Sequence, residues 1–261
     1  MAMQDLVIYG AGGFAREVAW LARSIEGRWR VAALVDDDPA AHGRTINGFP
    51  VMALDAARAA FPQAALTAAV GDPALREKLA GRAAAAGFAC ATLVHPRVEM
   101  SEWVEVGEGT VVCAGNLLTT NIVLGRHVQI NLDCTVGHDV VMGDFTTLAP
   151  GAHISGWVHF GHGVYVGTGA VIINGHEGVP LTLGDGAVVG AGACVTRSVA
   201  AGTTVVGVPA KPRQRREGEG PRSLRRTAEP AYRKSWGSGR PRRAPRSAPI
   251  AAARALAERW F

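Results

Sequence analysis

The chain has no run of about eighteen consecutive apolar residues, which excludes an ordinary membrane-spanning helix. Its first residues also lack the basic-then-apolar layout of a signal peptide, and the two absences together predict a cytoplasmic protein. Cysteine is scarce. Cys90, Cys113, Cys134 and Cys194 stand far apart with no CxxC among them, so they read as reduced core or coil residues rather than a disulfide framework or a zinc site. Excess positive charge is missing from most of the chain. The net charge of +5 averages two unlike parts: residues 213–261 hold 14 Lys+Arg against 4 Glu, or +10, leaving 13 basic and 18 acidic residues, or −5, for residues 1–212. No nucleic-acid binding is expected of residues 1–212.

What the chain does have is a rhythm of six. Stepping from Val94 lands on Met100, Val106, Val112, Leu118, Leu124, Ile130, Val136, Met142, Leu148, Ile154, Phe160, Val166 and Ile172, every one apolar. With 48% of the chain apolar, chance gives such a run about once in 30,000 for a chosen phase, so the period is a property of the sequence. Six fits neither a helical stripe nor a simple alternating strand. Such hexapeptides predict a parallel β-helix, in which three short strands make one triangular coil and each apolar side chain stacks on the next coil's. The rhythm resumes at Leu183, Val189 and Val195 after a step of eleven, which predicts about five extra residues looped out within 174–180.

Ahead of the repeat, the apolar run Leu6 to Tyr9 leads into Gly10-Ala11-Gly12-Gly13-Phe14-Ala15 and a stretch with Phe14, Val18, Leu21, Ala22 and Ile25 on one helical face. Strand, glycine turn and helix open a nucleotide-binding βαβ unit, whose backbone N–H groups approach phosphate oxygens at the helix N-terminus. A second strand, Val31 to Val35, ends in Asp36-Asp37-Asp38, where a carboxylate suits a ribose hydroxyl or a base N–H. Further strands are expected at 66–70 and 89–94, helices at 54–60 and 73–86 with Asp72 as cap, and a hairpin turn at Asn47-Gly48. That is half of a dinucleotide fold, and one nucleotide fits it better than two. His95-Pro96 marks the expected hand-over, giving domains 1–94, 95–212 and a tail 213–261.

The coil carries polar residues where a plain coil needs none: Asn131 after Ile130, and Gly137-His138-Asp139 after Val136. A histidine with a carboxylate beside it accepts a proton near neutral pH while the acid steadies the ring. His127, His153, His159, His162 and His176 read as corner or solvent residues, and no metal site is expected.

With YGAGGFAREV, LVDDD, the run through VGHDVVMGDF and SGWVHFGHGVYVGTGA, and the closing VVGAGACVTRSV and VVGVPAK, the sequence resembles the bacterial nucleotide-sugar acetyltransferases over residues 4 to about 212. That family includes the bacillosamine and perosamine N-acetyltransferases and the sialic acid O-acetyltransferases. The resemblance implies an α/β half-Rossmann-like domain followed by a left-handed β-helix, and a homotrimer with acetyl-CoA in the groove between subunits. It also implies transfer to the amino group of a nucleotide-linked deoxyamino sugar, for surface polysaccharide or glycan synthesis. His138 would be the general base and Asp139 its orienting partner. Asn131, with Gly10, Gly12, Gly13, Asp36 and Asp37, would hold the nucleotide sugar. Gly156 would hold the thioester carbonyl, while Thr168, Gly169, Ala170, Gly190, Ala191, Gly192, Ala193, Pro209 and Lys211 would line the rest of acetyl-CoA. Phe14 and Thr147 stand where some relatives carry histidine. The alternatives are O-acetylation of a sugar hydroxyl and a non-catalytic β-helix scaffold. The basic tail, with a short amphipathic helix expected from Pro249 to Phe261, reads as disordered and names no partner.

Overall fold

The computed structural model describes residues 3–213. The readings made for the tail beyond Arg213 lie outside the described residues.

The chain opens with β1 (Gln4–Tyr9), α1 (Gly13–Ser24) and β2 (Trp29–Val35). A short hairpin of β3 (Thr45–Ile46) and β4 (Phe49–Met52) comes next, then α2 (Leu54–Ala60), β5 (Ala65–Ala68), α3 (Pro73–Ala85) and β6 (Ala89–Cys90). The sheet order is β3-β4-β2-β1-β5-β6, parallel except for the hairpin. β1 has β2 on one side and β5 on the other, so the switch point of this open sheet lies at its carboxyl end, where the glycine turn begins. Asn47 (φ 49°) and Gly48 (φ 88°) make the expected turn. The hairpin is more than the surface feature its sequence suggests: β4 pairs parallel with β2 and so widens the main sheet, and Val51 is buried. Asp72 caps α3 by accepting from the Leu75 N–H at 2.9 Å, with Pro73 at the first position.

The expected strand at 89–94 divides in two. Ala89–Cys90 pairs with β5, whereas Leu93–Val94 pairs with Val111–Val112 and is already the first strand of the coil. The hand-over therefore precedes His95-Pro96, because the hexapeptide register has begun by Val94.

The coil has three faces. Its first is built from Leu93–Val94, Val111–Val112, Gln129–Ile130, Thr147–Leu148, Tyr165–Val166, Val188–Val189 and Thr204–Val206, with Lys211–Pro212 folding back antiparallel. The second runs from Glu99–Met100 through Thr135–Val136 to Cys194–Val195, and the third from Val104–Val106 through Val141–Met142 to Leu181–Leu183. Partners are eighteen residues apart until Phe160 pairs with Leu183, and the five-residue excess is the predicted loop. Inward columns such as Val112, Ile130, Leu148, Val166 and Val189 are fully buried. Each such side chain contributes about 1.5–3 kcal/mol by leaving water. Met100 departs from the pattern because the first coil has no neighbour beneath it, and it is 45% exposed.

The corners keep the same rhythm. Every sixth residue from Gly109 to Gly169 has φ between 53° and 76°, including Asn121, His127, Asp133, Asp139, Phe145 and Trp157. A left-handed non-glycine residue costs roughly 1–2 kcal/mol, which the stacked coils on either side offset.

The α/β domain covers the first face. Gln129 and Thr147, which point outward there, are buried, and their side chains donate to Ala68 O at 2.9 Å and Gly71 O at 3.0 Å. Beside them Arg76 of α3 is 1% exposed and donates to six acceptors on both sides of the joint. Among the described residues no helix is long and apolar enough to cross a membrane.

Two histidines near this joint are held neutral. His127 stacks on Phe145 at 4.9 Å, and burial, then Arg76 and Arg126, push its pKa below 6.5. His95 accepts the Arg97 N–H at Nδ1 (3.0 Å) and packs against Trp20, and burial, then Arg97, lowers its pKa as well. Well above pH 6.5 both rings are neutral whether the chain is folded or not. As pH falls from there toward their lowered values, the unfolded chain takes up protons that the folded chain refuses, so stability declines. Thermal unfolding measured from pH 7.5 to 5.0 should show this fall, and His127→Asn, which suits a left-handed corner, should flatten it. An unchanged slope would mean that His127 is not a source.

Candidate active site

His138 and Asp139 occupy the edge between the second and third faces, one residue past the turn glycine Gly137. Asp139 is the corner residue (φ 57°), and the tight turn brings its carboxylate back to its neighbour: His138 Nδ1–H donates to Asp139 Oδ2 at 2.8 Å. Asn121, one coil away on the same edge, donates Nδ2–H to Asp139 Oδ1 at 3.3 Å. A carboxylate at Nδ1 selects the tautomer that leaves the Nε2 lone pair open, which is what a base requires. Trp157, a coil further on, sets its ring edge-on to the imidazole at 6.3 Å, and its backbone N–H donates to His138 O at 3.0 Å.

Gly156 lies against the reactive nitrogen. A Cβ on it would stand 2.5 Å from both Cε1 and Nε2 of His138, so any side chain here collides with the ring. The Gly156 N–H makes no hydrogen bond within the described residues. An uncommitted backbone donor beside an imidazole lone pair is the arrangement that stabilises an oxyanion while a nucleophile loses its proton.

The other expected residues fall into separate groups. Thr168, Gly169 and Ala170 stack on Gly190, Ala191, Gly192 and Ala193 through Gly192 N–H to Thr168 O (2.9 Å), on the edge between the first and second faces. That edge is a full face away from Gly156. Pro209 and Lys211 line an open cleft of about 480 Å³ at the last coils, together with Arg197. Asn131 lies on the first–second edge too, its Oδ1 accepting the Leu132 N–H at 2.8 Å, and it shares with Thr168 a cleft of about 180 Å³ under α1.

In the α/β domain Gly10 (φ 131°) is conformationally required, since a Cβ would also come within 3.0 Å of Ala69 O. Gly12 caps α1, and a Cβ on it would meet nothing within 4 Å, which leaves the helix N-terminus open above Gly13. Asp37 is engaged by its own protein: Tyr9 OH donates to Oδ1 at 2.6 Å and Arg82 pairs with Oδ2. Burial works upward on this carboxyl, yet those two hydrogen bonds hold it below the usual value. Asp36 Oδ1 accepts the Asp38 N–H at 2.9 Å and shapes the loop.

Comparison with known proteins matches residues 5–83 to the PglD N-terminal domain. The chain is 33% identical over 213 residues to the GDP-perosamine N-acetyltransferase of Escherichia coli O157:H7, covering 80% of this chain and 96% of that one. The chain belongs to the nucleotide-sugar acetyltransferase family. Among solved structures, PerB from Caulobacter crescentus, in complex with CoA and GDP-perosamine, is 32% identical with a TM-score of 0.72, covering 82% of this chain and 99% of that one. The acetyltransferase domain of PglB from Neisseria gonorrhoeae FA1090, in complex with acetyl coenzyme A, is 34% identical with a TM-score of 0.72, covering 81% and 100%. The fold is the family's, an α/β domain followed by a left-handed parallel β-helix.

Sequence reasoning passed over Arg76, Glu17 and Tyr165. Arg76 left one signal: with Leu79, Ala80 and Ala83 it forms the i, i+3, i+4, i+7 stripe that α3 buries.

Proposed function

We propose that this acetyltransferase moves the acetyl group of acetyl-CoA to the amino group of a nucleotide-linked deoxyamino sugar, with His138 as general base. The observation that carries this reading is the imidazole held by Asp139 over the unpaired N–H of Gly156. The neutral amine attacks the thioester carbonyl as Nε2 of His138 takes its proton, and Gly156 N–H receives the developing oxyanion. Collapse of the tetrahedral intermediate breaks the C–S bond, and the departing thiolate takes the proton back from Nε2 of His138 and leaves as CoA, which restores the neutral imidazole. The nucleotide diphosphate rests on Gly10, Gly12 and Gly13, with Asp36 toward the ribose or base.

Two copies of the chain complete one site in this reading. The α/β domain covers the first face, whereas His138 stands on the opposite edge, between the other two faces. A sugar held under α1 therefore cannot reach the imidazole of its own chain, while the His138 edge of a neighbour set into the first–second edge does reach it. A homotrimer supplies three such sites.

Purified protein given acetyl-CoA and a panel of GDP-, UDP- and dTDP-amino sugars should release CoA thiol and yield a base-stable amide. A base-labile product would indicate an ester instead, and no release with any member would overturn the reading. Mixing inactive His138→Ala with an inactive glycine-loop variant should restore part of the activity if sites are shared, and none if each chain works alone.

A further inference from the structure

The cleft of about 180 Å³ under α1 is lined by Phe14, Glu17, Asn131, Thr147, Tyr165 and Thr168, among others. Its chemistry is mixed in a particular way. Phe14 and Tyr165 offer aromatic surface. Thr147 has spent its hydroxyl on Gly71 O, and Asn131 its Oδ1 on the Leu132 N–H. The Asn131 amide N–H groups and the hydroxyls of Tyr165 and Thr168 make no hydrogen bond within the described residues, and the Glu17 carboxylate there makes neither a hydrogen bond nor an ion pair. One carboxylate, several donors and two aromatic faces suit a polyhydroxylated ring with an apolar C–H face. The same carboxylate repels phosphate, which favours a neutral hydroxylated ring over a diphosphate or the phosphates of CoA as occupant.

We infer that Glu17 is a specificity-determining residue that accepts a hydrogen bond from a ring hydroxyl of the sugar half of the substrate. The inference rests on the proposed N-acetyltransferase function and names a part of the site that function leaves open. Glu17 comes four residues after Gly13, a rise of about 6 Å along α1. A pyranose joined to a diphosphate at the helix N-terminus is thus delivered one turn along, against this carboxylate. The group that donates to Glu17 is a hydroxyl rather than the amine, because a carboxylate paired with the amine would keep it protonated and unable to attack.

The test uses the full-length protein and the nucleotide amino sugar it turns over best. Glu17→Gln should lower kcat/KM for that sugar about 10- to 100-fold, the loss expected for a hydrogen bond to a charged group. KM for acetyl-CoA and the Kd of the bare nucleoside diphosphate, measured by calorimetry, should stay within about twofold, since neither molecule carries the sugar-ring hydroxyl that Glu17 accepts from. A substrate analogue lacking the ring hydroxyl should be poor with the wild type and lose nothing more with the variant. Unchanged kcat/KM in Glu17→Gln overturns the inference while the function stands, as does an equal weakening of the bare nucleoside diphosphate. A wild type that acetylates no nucleotide amino sugar removes the function itself, and the inference with it.

Discussion

His138→Ala is expected to lower kcat by about 100- to 10,000-fold, the usual contribution of a positioned general base, and to leave the KM values for both substrates near those of the wild type. The selectivity comes from where the ring sits. Its side chain is 54% exposed on a coil edge, so its removal takes no atom from the inward columns and should leave thermal unfolding unchanged. What is lost is the Nε2 lone pair over Gly156, needed only as the attacking amine becomes acidic. Thiol release detected with a chromogenic reagent, with the oligomeric state measured alongside, checks the claim. Activity within tenfold of wild type would show that positioning of two bound substrates is enough without a base. Asp139→Asn should act more mildly, since Asn121 and the turn still orient the ring while the imidazolium loses its counter-charge.

The coil was the most legible part of this molecule, because each hexapeptide repeats one physical demand: an apolar residue inward, then a corner. Even the loop near 174–180 could be counted from the break at Ile172, and the eighteen-residue pairings show the same excess. The joint between the two parts was hidden, since Gln129 and Thr147 look like ordinary outward positions until a second domain covers them. The candidate site was legible as a group of residues and not as a place. Position within the eighteen-residue turn decides the edge, so Gly156 falls beside His138, while Thr168 to Ala170 and Gly190 to Ala193 fall a face away. Asp37 reads as a ligand carboxylate by sequence, and only the fold shows that Tyr9 and Arg82 also hold it.

Arg76→Leu should cost on the order of 3–5 kcal/mol, a large part of a typical domain's total stability. The guanidinium is 1% exposed, and among the described residues no carboxylate forms a salt bridge with it. Instead its N–H groups reach His127 O at 3.0 Å, Val70 O and Gln129 Oε1 at 3.1 Å, Phe145 O at 2.5 Å, Thr146 O at 3.3 Å and Gly71 O at 3.4 Å. Burial presses its pKa down to about 9, so it stays charged at neutral pH and acts as a five-donor plug for carbonyls that have left water. Leucine fills some of the volume and donates to none of those acceptors; Thr146 O keeps the Gln129 N–H and Gly71 O keeps the Thr147 hydroxyl, so the cost falls on the others, at about 1–3 kcal/mol where one is left orphaned. Lysine keeps the charge with the wrong donor geometry and should fall between the two. The damage should be local, because the coil's inward columns do not involve Arg76. Urea unfolding should split, with the α/β domain and its buried Trp29 opening ahead of the β-helix. Before that point KM for the nucleotide sugar should rise while KM for acetyl-CoA holds, since the cleft under α1 has one wall on each side of the joint. A single transition within about 0.5 kcal/mol of the wild type would mean that the carbonyls find other donors.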